Sequence, residues 1–405
     1  MYDVIIIGAG AAGMMAAGTA AQNGKKVLVI EKMEKAGRKI RITGKGRCNV
    51  TNNCALYEFF PSVIRGSKFM MSSLTAFPPP SLMEFLAEHG VRTKTERGNR
   101  VFPASDKASD VIKAFASALE RNKVDVRLNT EVESIENRGG VFYVATSGGK
   151  FEFDRLIVAT GGLSYRSTGS TGDGYRIARQ FGHTIVPTVP ALSAMELTTN
   201  VSPLEGLSLR NVRASVKTDG KTYSEFGEML FTDSGVSGPI ILTLSSRINR
   251  CRIAGETLLV DFKPALSPET LDTRLAGDFA EFSNKDLANI LPGLLPKAVI
   301  PYVLAQCGLS GSLKGHSVTR EQRFALGFSV KNLAFTIKGL ADINGAIVTS
   351  GGVELKEINP KTMESKLVKG LYFAGEVLDV DAYTGGYNLG IAFATAKAAA
   401  LHILA

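Results

Sequence analysis

The chain has 405 residues, 44% hydrophobic and 21% charged, with a formal net charge of +9. That length holds a large apolar core and more than one domain, and four scattered cysteines without CxxC spacing (Cys48, Cys54, Cys251, Cys307) exclude a disulfide framework and a paired-cysteine redox centre. No run of about 18 uncharged apolar residues predicts a membrane span, the start lacks the basic region of a signal peptide, and the expected location is the cytoplasm.

The first predicted element is a buried parallel strand from Asp3 to Ile7, short, branched and uninterrupted. Gly8-Ala9-Gly10-Ala11-Ala12-Gly13 follows at once, and an alanine-rich helix runs from about Ala11 to Asn23. Val27 to Ile30 is the next strand, and Glu31 stands at its end. Together these make a complete βαβ unit. Gly8 allows the tight turn, Gly10 lets the backbone approach a pyrophosphate, and Gly13 lets helix and sheet pack closely. The amides that open the helix, from Ala11, Ala12 and Gly13, offer a partial positive charge to phosphates. Glu31 lies about twenty residues beyond the glycines, where an acid accepts hydrogen bonds from ribose hydroxyls. Strand, turn, helix, strand and acid in this order predict a bound dinucleotide.

The next stretch, Lys32 to Asn52, reads KMEKAGRKIRITGKGRCNVTN. An NAD dehydrogenase usually continues with a helix here, whereas this segment is glycine-rich, basic and loop-like. It resembles the loop after the ribose acid in flavoproteins of the two-dinucleotide-binding class. Its TGKGRCNVTN portion resembles a signature of the HI0933-like family of FAD-dependent bacterial proteins, and the resemblance extends over the whole chain. It implies an α/β fold: a Rossmann-like FAD-binding domain with an inserted β-barrel-like domain and a small nested helical subdomain. It also implies FAD contacts from Lys32, Gly37, Arg38, Lys39, Gly44, Arg47, Cys48 and Asn49.

Further along, a helix is predicted from Asp106 to Asn122, then strands over Val124–Leu128 and Thr130–Ile135. By the resemblance, the backbone of Val132 meets the adenine. Leu156 to Gly162 (LIVATGG) resembles the segment that returns beside the cofactor, with Thr160 and Gly161 at its turn. Gly172-Asp173-Gly174-Tyr175 resembles a helix-capping segment of the fumarate reductase class, and Ser350-Gly351-Gly352-Val353 a glycine turn near the flavin in that class. The closing FAD motif is LYFAGEVLDVDAYTGGYNLGIAFA, from Leu371 to Ala394. Within it Gly375 follows a strand, and either Glu376 or Asp379 meets the ribityl chain. Gly386, Tyr387 and Asn388 open a helix, read over Leu389 to Leu404, whose amides aim at the flavin pyrimidine.

Between these pieces the chain changes character. Pro187 to Pro190 mark a boundary, so the FAD domain is expected over 1–190 and 340–405, with a β-rich insert over 191–339. Alternating patterns and turn signals at Asp219-Gly220 and Ala254-Gly255 predict antiparallel strands across residues 191–263. Residues 267–327 read as helical, with Ser267-Pro268-Glu269 as a capped start.

Cys48 stands among Arg38, Lys39, Arg41, Lys45 and Arg47, cations that favour a thiolate, so it is a catalytic candidate and also a plain packing residue. Tyr383, ahead of the flavin-facing glycines, is a second catalytic candidate. The family more often carries a histidine where Asp233 stands; if a proton donor belongs there, this chain lacks it. His89, His183, His316 and His402 have no metal spacing, and no metal is expected. Only one dinucleotide fingerprint is present, so NAD(P)H is expected as a transient visitor without a domain of its own. The family implies hydride transfer from flavin N5 to an electron-poor C=C bond. Its members are associated with uridine reduction to dihydrouridine in 23S ribosomal RNA and with bile-acid intermediates. The basic balance permits an RNA partner held by Arg38–Arg47 and by Arg320, Arg323 and Lys331. A non-catalytic FAD-containing RNA-binding or assembly protein is the alternative from another class.

Overall fold

Strands β1 (Val4–Ile7) and β2 (Val27–Ile30) are buried at every position, as branched runs must be when helices cover both faces of a sheet. Between them runs α1 (Ala11–Gln22). The computed structural model describes residues 2–403. After β2 come α2 (Arg38–Ile42), the short strand β3 (Thr51–Asn52) and the single turn α3 (Leu56–Phe59). A hairpin of β4 (Thr93–Glu96) and β5 (Arg100–Pro103) leads to α4 (Ala108–Arg121), β6 (Asp125–Arg127), β7 (Arg155–Val158) and α5 (Asp173–Gln180). The chain returns at β8 (Leu371–Phe373) and ends in α6 (Tyr387–His402). The expected last helix reached Leu404, which lies outside the described residues.

The central sheet has the order β8-β7-β1-β2-β6, with every pair parallel. β1 lies inside the sheet, so its carboxyl end opens where connections leave in opposite directions, the place where such sheets hold ligands. Gly375 is wedged between α1 and α6: a Cβ on it would stand 2.9 Å from the Ala12 Cβ and 3.7 Å from that of Ala392. The smallest residues therefore let both helices approach the end of β8.

The chain divides into two units, residues 1–191 with 343–405, and residues 192–342. The second is a closed six-stranded barrel, in the order Met195–Leu197, Gly235–Ser237, Lys221–Phe231, Ser208–Thr218, Thr257–Asp261 and Leu333–Leu340. Helices Pro268–Glu281 and Arg320–Lys331 belong to its helical portion, and Ser267 caps the first by accepting from the Thr270 N–H at 3.1 Å. The fold class is the expected one.

Four local expectations are corrected. The Lys32–Asn52 stretch is not a bare loop but contains α2 and a 3-10 turn, Thr43–Gly46. Pro239–Ile248, within the region read as strands, is a helix with proline in its first turn. Ser350–Val353 is no turn but the end of strand Val348–Val353, paired with Ile185–Ala191. Its glycines permit close packing, since a Cβ on Gly351 would stand 2.4 Å from the Pro187 carbonyl oxygen. Asp173 does not cap α5 with its side chain; it pairs with Lys32 at 2.6 Å. Among the described residues no helix is long and apolar enough to cross a membrane.

Candidate cofactor and active site

The glycine turn after β1 is tight where chain meets chain and open elsewhere. Gly8 (φ +102) donates its N–H to the Ile30 carbonyl at 2.8 Å, and a Cβ on it would stand 2.6 Å from the Ala159 carbonyl oxygen. A Cβ on Gly13 would stand 1.8 Å from the Gly8 oxygen, so α1 rests directly on the turn. A Cβ on Gly10 meets nothing within 4 Å. No side chain caps α1, and its first turn holds no acid, which leaves the partial positive charge to an outside anion. Glu31 accepts from the Ala9 N–H at 2.7 Å and the Met33 N–H at 2.9 Å, which anchors its carboxylate beside the same turn. Gly37 (φ +70) ties α2 to this turn by donating to the Ala9 carbonyl at 2.9 Å. A diphosphate and a ribose fit this donor set.

The cations after β2 divide sharply. Lys39 reaches inward: its Nζ lies 2.7 Å from Glu376 Oε2 and 2.6 Å from Ser164 Oγ. Glu376 Oε1 also accepts from Ser164 Oγ (2.9 Å) and the Thr349 N–H (2.9 Å). Asp379 faces Arg65 in a two-point fork, 2.9 and 2.6 Å, with its side chain only 7% exposed. Both of its oxygens are thereby engaged. Asp379 is corrected to an internal ion-pair partner, and Glu376 is the acid that lies with Lys39 near the Gly161-Gly162 turn.

Arg47 is likewise corrected. It pairs with Glu96 and Asp106, both at 2.5 Å, and its guanidinium lies 4.2 Å from the Phe102 ring centroid. Those carboxylates raise its pKa and fall below their own usual range in return. Arg38 pairs with Glu34 one helical turn away, and Lys32 bonds Asp173 and Thr171. These three cations hold the chain to itself. Val132 opens the strand Val132–Arg138, and its carbonyl accepts from Arg176 at 3.4 Å.

The opposite end of the site is the head of α6. Gly386 (φ +100) begins the helix, no side chain caps it, and a Cβ there would stand 2.2 Å from the Thr51 carbonyl oxygen. The Asn388 side chain faces the preceding loop: Oδ1 accepts from the Ala382 N–H (2.9 Å), and Nδ2 donates to the carbonyls of Ala382 (2.8 Å) and Tyr383 (3.3 Å). It fastens the preceding loop, on which Tyr383 is half-buried. Tyr387 packs edge-on against Phe59, with centroids 4.8 Å apart.

Beneath this turn Thr51 and Asn52, not among the expected site residues, join Asn49, which is. Asn52 Nδ2 donates to the carbonyls of Gly98 and Gly385, both at 3.0 Å. Buried oxygens of Asn49, Thr51 and Asn52 have no hydrogen-bond partner among the described residues, nor has Thr160 Oγ1 beside the other glycine turn. Unpaired buried polar atoms are costly unless a ligand or water satisfies them. The sequence signal was present: in CNVTN, polar residues sit on a strand whose neighbours are apolar.

Residues 2–402 match the HI0933-like protein Rossmann domain. The chain belongs to the HI0933-like family. It is 34% identical to the ribosomal RNA dihydrouridine synthase of Escherichia coli, over 100% of this chain and 98% of that protein. It is 32% identical to the 3-dehydro-bile acid delta(4,6)-reductase of Clostridium scindens, over 98% and 97%. Among solved structures it resembles a flavocytochrome c3 fumarate reductase in fold, with a TM-score of 0.52 at 17% identity, over 100% of this chain and 78% of the other. The HI0933-like family is one of flavoprotein oxidoreductases, so FAD is the dinucleotide to set against this geometry.

One catalytic expectation does not survive. Cys48 has no accessible surface, adopts a left-handed φ of +61, and donates its N–H to the Thr43 carbonyl at 3.0 Å. Burial pushes its thiol up to about 12, and the cations nearby in sequence do not offset that. Cys48 packs beneath the loop, the second of the two roles expected of it. Cys48→Ala is expected to keep its flavin and its turnover within about threefold, with a modest loss of stability on the order of 1 kcal/mol from the small cavity. Steady-state kinetics and thermal denaturation of the variant check this.

Proposed function

We propose that the chain is an FAD-dependent reductase of an electron-poor C=C bond, and that its substrate is a uridine of ribosomal RNA. The carrying observation is the pair of uncapped helix starts on two glycine turns, α1 and α6, packed on either side of Gly375. Gly8, Gly10, Ala11, Ala12, Gly13 and Glu31 are assigned the diphosphate and ribose. Glu376 and Lys39 are assigned the ribityl chain, and Gly386 with the first amides of α6 the pyrimidine edge of the flavin. Bound there, FAD supplies a two-electron carrier at N5.

The protein's own part is to hold charge and deliver a proton. The uncapped α6 amides would hold negative charge at the pyrimidine edge of a bound flavin. Asn388 keeps the Tyr383 loop fixed to that helix, and the Tyr383 hydroxyl is assigned the proton for the carbon next to the one that receives hydride. With FAD held there, the C5=C6 bond of uracil would become a single bond, the bound flavin supplying the hydride for one carbon and the Tyr383 hydroxyl the proton for the other. A nicotinamide visiting the flavin transiently is assigned as reductant.

The excess of basic residues favours RNA over a steroid acid; full-length similarity is shared by the E. coli ribosomal RNA enzyme and the C. scindens bile-acid reductase. The test is mass-spectrometric mapping of 23S ribosomal RNA from a strain lacking the gene. The expected result is one uridine position that loses its two extra hydrogens and regains them when the gene is restored. An identical modification map in both strains would count against RNA and favour the small-molecule ene-reductase.

A further inference from the structure

The formal charge of the chain is unevenly placed. Residues 192–342 carry 16 Lys and Arg against 15 Asp and Glu, so nearly the whole excess of +9 lies on the FAD unit. In the barrel unit, Arg323 is forked onto Asp272 (2.7 and 3.1 Å), and Lys331 bonds Asp261 and two carbonyls. The expectation that these two cations hold RNA is thereby corrected.

On the FAD unit, the β4–β5 hairpin concentrates free positive charge. Its tip, Arg97-Gly98-Asn99-Arg100, is exposed throughout. Just below it, Arg47 and Lys94 satisfy Glu96 and Asp106 in a closed quartet of two cations and two anions. Among the described residues Arg97 and Arg100 have no carboxylate partner; the Arg100 Nε–H donates to the Arg97 carbonyl at 3.0 Å, and its guanidinium lies 5.9 Å from the Phe102 ring centroid. Lys45 is also exposed, on the 3-10 turn beside Phe102. The tip is bound to the candidate site by short links. The Asn53 N–H donates to the Asn99 carbonyl at 2.7 Å, and the Asn52 amide bridges the carbonyls of Gly98 and Gly385. One side chain therefore joins the arginine-bearing tip to the turn that opens α6. On the other side of that turn, α3 packs Phe59 on Tyr387 and leaves Tyr57 77% exposed.

We propose that this hairpin tip is the docking surface for a single-stranded RNA segment carrying the target uridine. Arg97, Arg100 and Lys45 hold consecutive phosphates, and Tyr57 stacks a neighbouring base. The surface rests on the ribosomal RNA reading above. Single strands suit it because a paired uracil shows no face to a flavin, and because splayed bases stack on aromatic rings while basic side chains follow the backbone. The Asn52 bridge fixes the distance between the phosphate anchors and the reacting end of the site.

The experiment uses the FAD-loaded full chain and a fluorescent oligouridylate, titrated at several salt concentrations. The double variant R97E/R100E is expected to bind about tenfold more weakly. The slope of log affinity against log salt should shrink by about 1.4, two phosphate contacts at about 0.7 each for single strands. Lys297→Glu, at an exposed position of the barrel unit, serves as a charge control and should bind as wild type does. Flavin absorbance of the double variant should match wild type, which separates loss of binding from loss of fold. If wild type binds with a steep salt slope and the double variant shows the same slope and affinity, the docking surface is wrong. If wild type itself binds no RNA at low salt, the ribosomal reading fails and the surface with it.

Discussion

Gly13→Ala is expected to yield a colourless, destabilised protein. The added Cβ would stand 1.8 Å from the Gly8 carbonyl oxygen, a backbone atom that no rotamer change can move aside. α1 must therefore lift from the turn, which displaces Ala12 against Gly375 and strips the diphosphate of the amides that hold it. Overpacking of this kind costs on the order of 3 kcal/mol, or roughly 6–12 °C in thermal midpoint for a unit of this size. Gly10→Ala provides the contrast. Its Cβ meets nothing within 4 Å, and its φ of −80 suits any residue. The FAD-free protein should melt at the wild-type temperature, yet FAD affinity should fall at least about tenfold because the methyl stands where the diphosphate approaches. Flavin absorbance and calorimetry of the two variants, with and without added FAD, check both claims. A yellow Gly13→Ala protein of wild-type stability would contradict the packing described here.

The second large effect is expected at the other end. Gly386→Ala places a Cβ 2.2 Å from the Thr51 carbonyl oxygen in a residue held at φ +100. The turn must shift by an ångström or so. The diphosphate end is untouched, so FAD should remain bound. Displacement of about 1 Å in groups aligned to a reacting centre costs about a hundredfold in rate, and that is the expected loss of kcat. The flavin should also become harder to reduce, because the α6 amides no longer meet the ring charge at full strength. A stopped-flow reduction trace beside a redox titration measures this. Wild-type kcat and potential would show that the α6 head does not face the reacting ring.

The sequence made the first thirty residues legible because their signal is local. Gly8, Gly10, Gly13 and Glu31 lie within one βαβ unit, where spacing alone places each residue. The barrel was legible as a class from its alternation and turns, but its closure was not. That depends on Met195–Leu197 pairing with Leu333–Leu340, residues far apart in the chain. The cations after β2 were misjudged for the same reason. Lys39 is set by Glu376, 337 positions away, whereas Arg47 is drawn off by Glu96 and Asp106 on a hairpin and the turn after it. Composition groups Arg38, Lys39 and Arg47 as one basic patch; tertiary contacts give each a different partner. Of the two readings open for Cys48, packing is the one its full burial favours, and burial outweighs the cations beside it in the chain. The expectation for Asn388 concerned its backbone amide; that both ends of its side chain clasp Ala382 depends on how the loop folds back and was not legible.

The most direct measurement reduces the bound flavin without oxygen and then adds substrate. With 23S ribosomal RNA from the deletion strain, the yellow colour is expected to return in step with one uridine gaining two hydrogens per flavin reoxidised. An α,β-unsaturated steroid acid should leave the flavin reduced. Reoxidation by the steroid acid alone, with the RNA inert, would contradict the account.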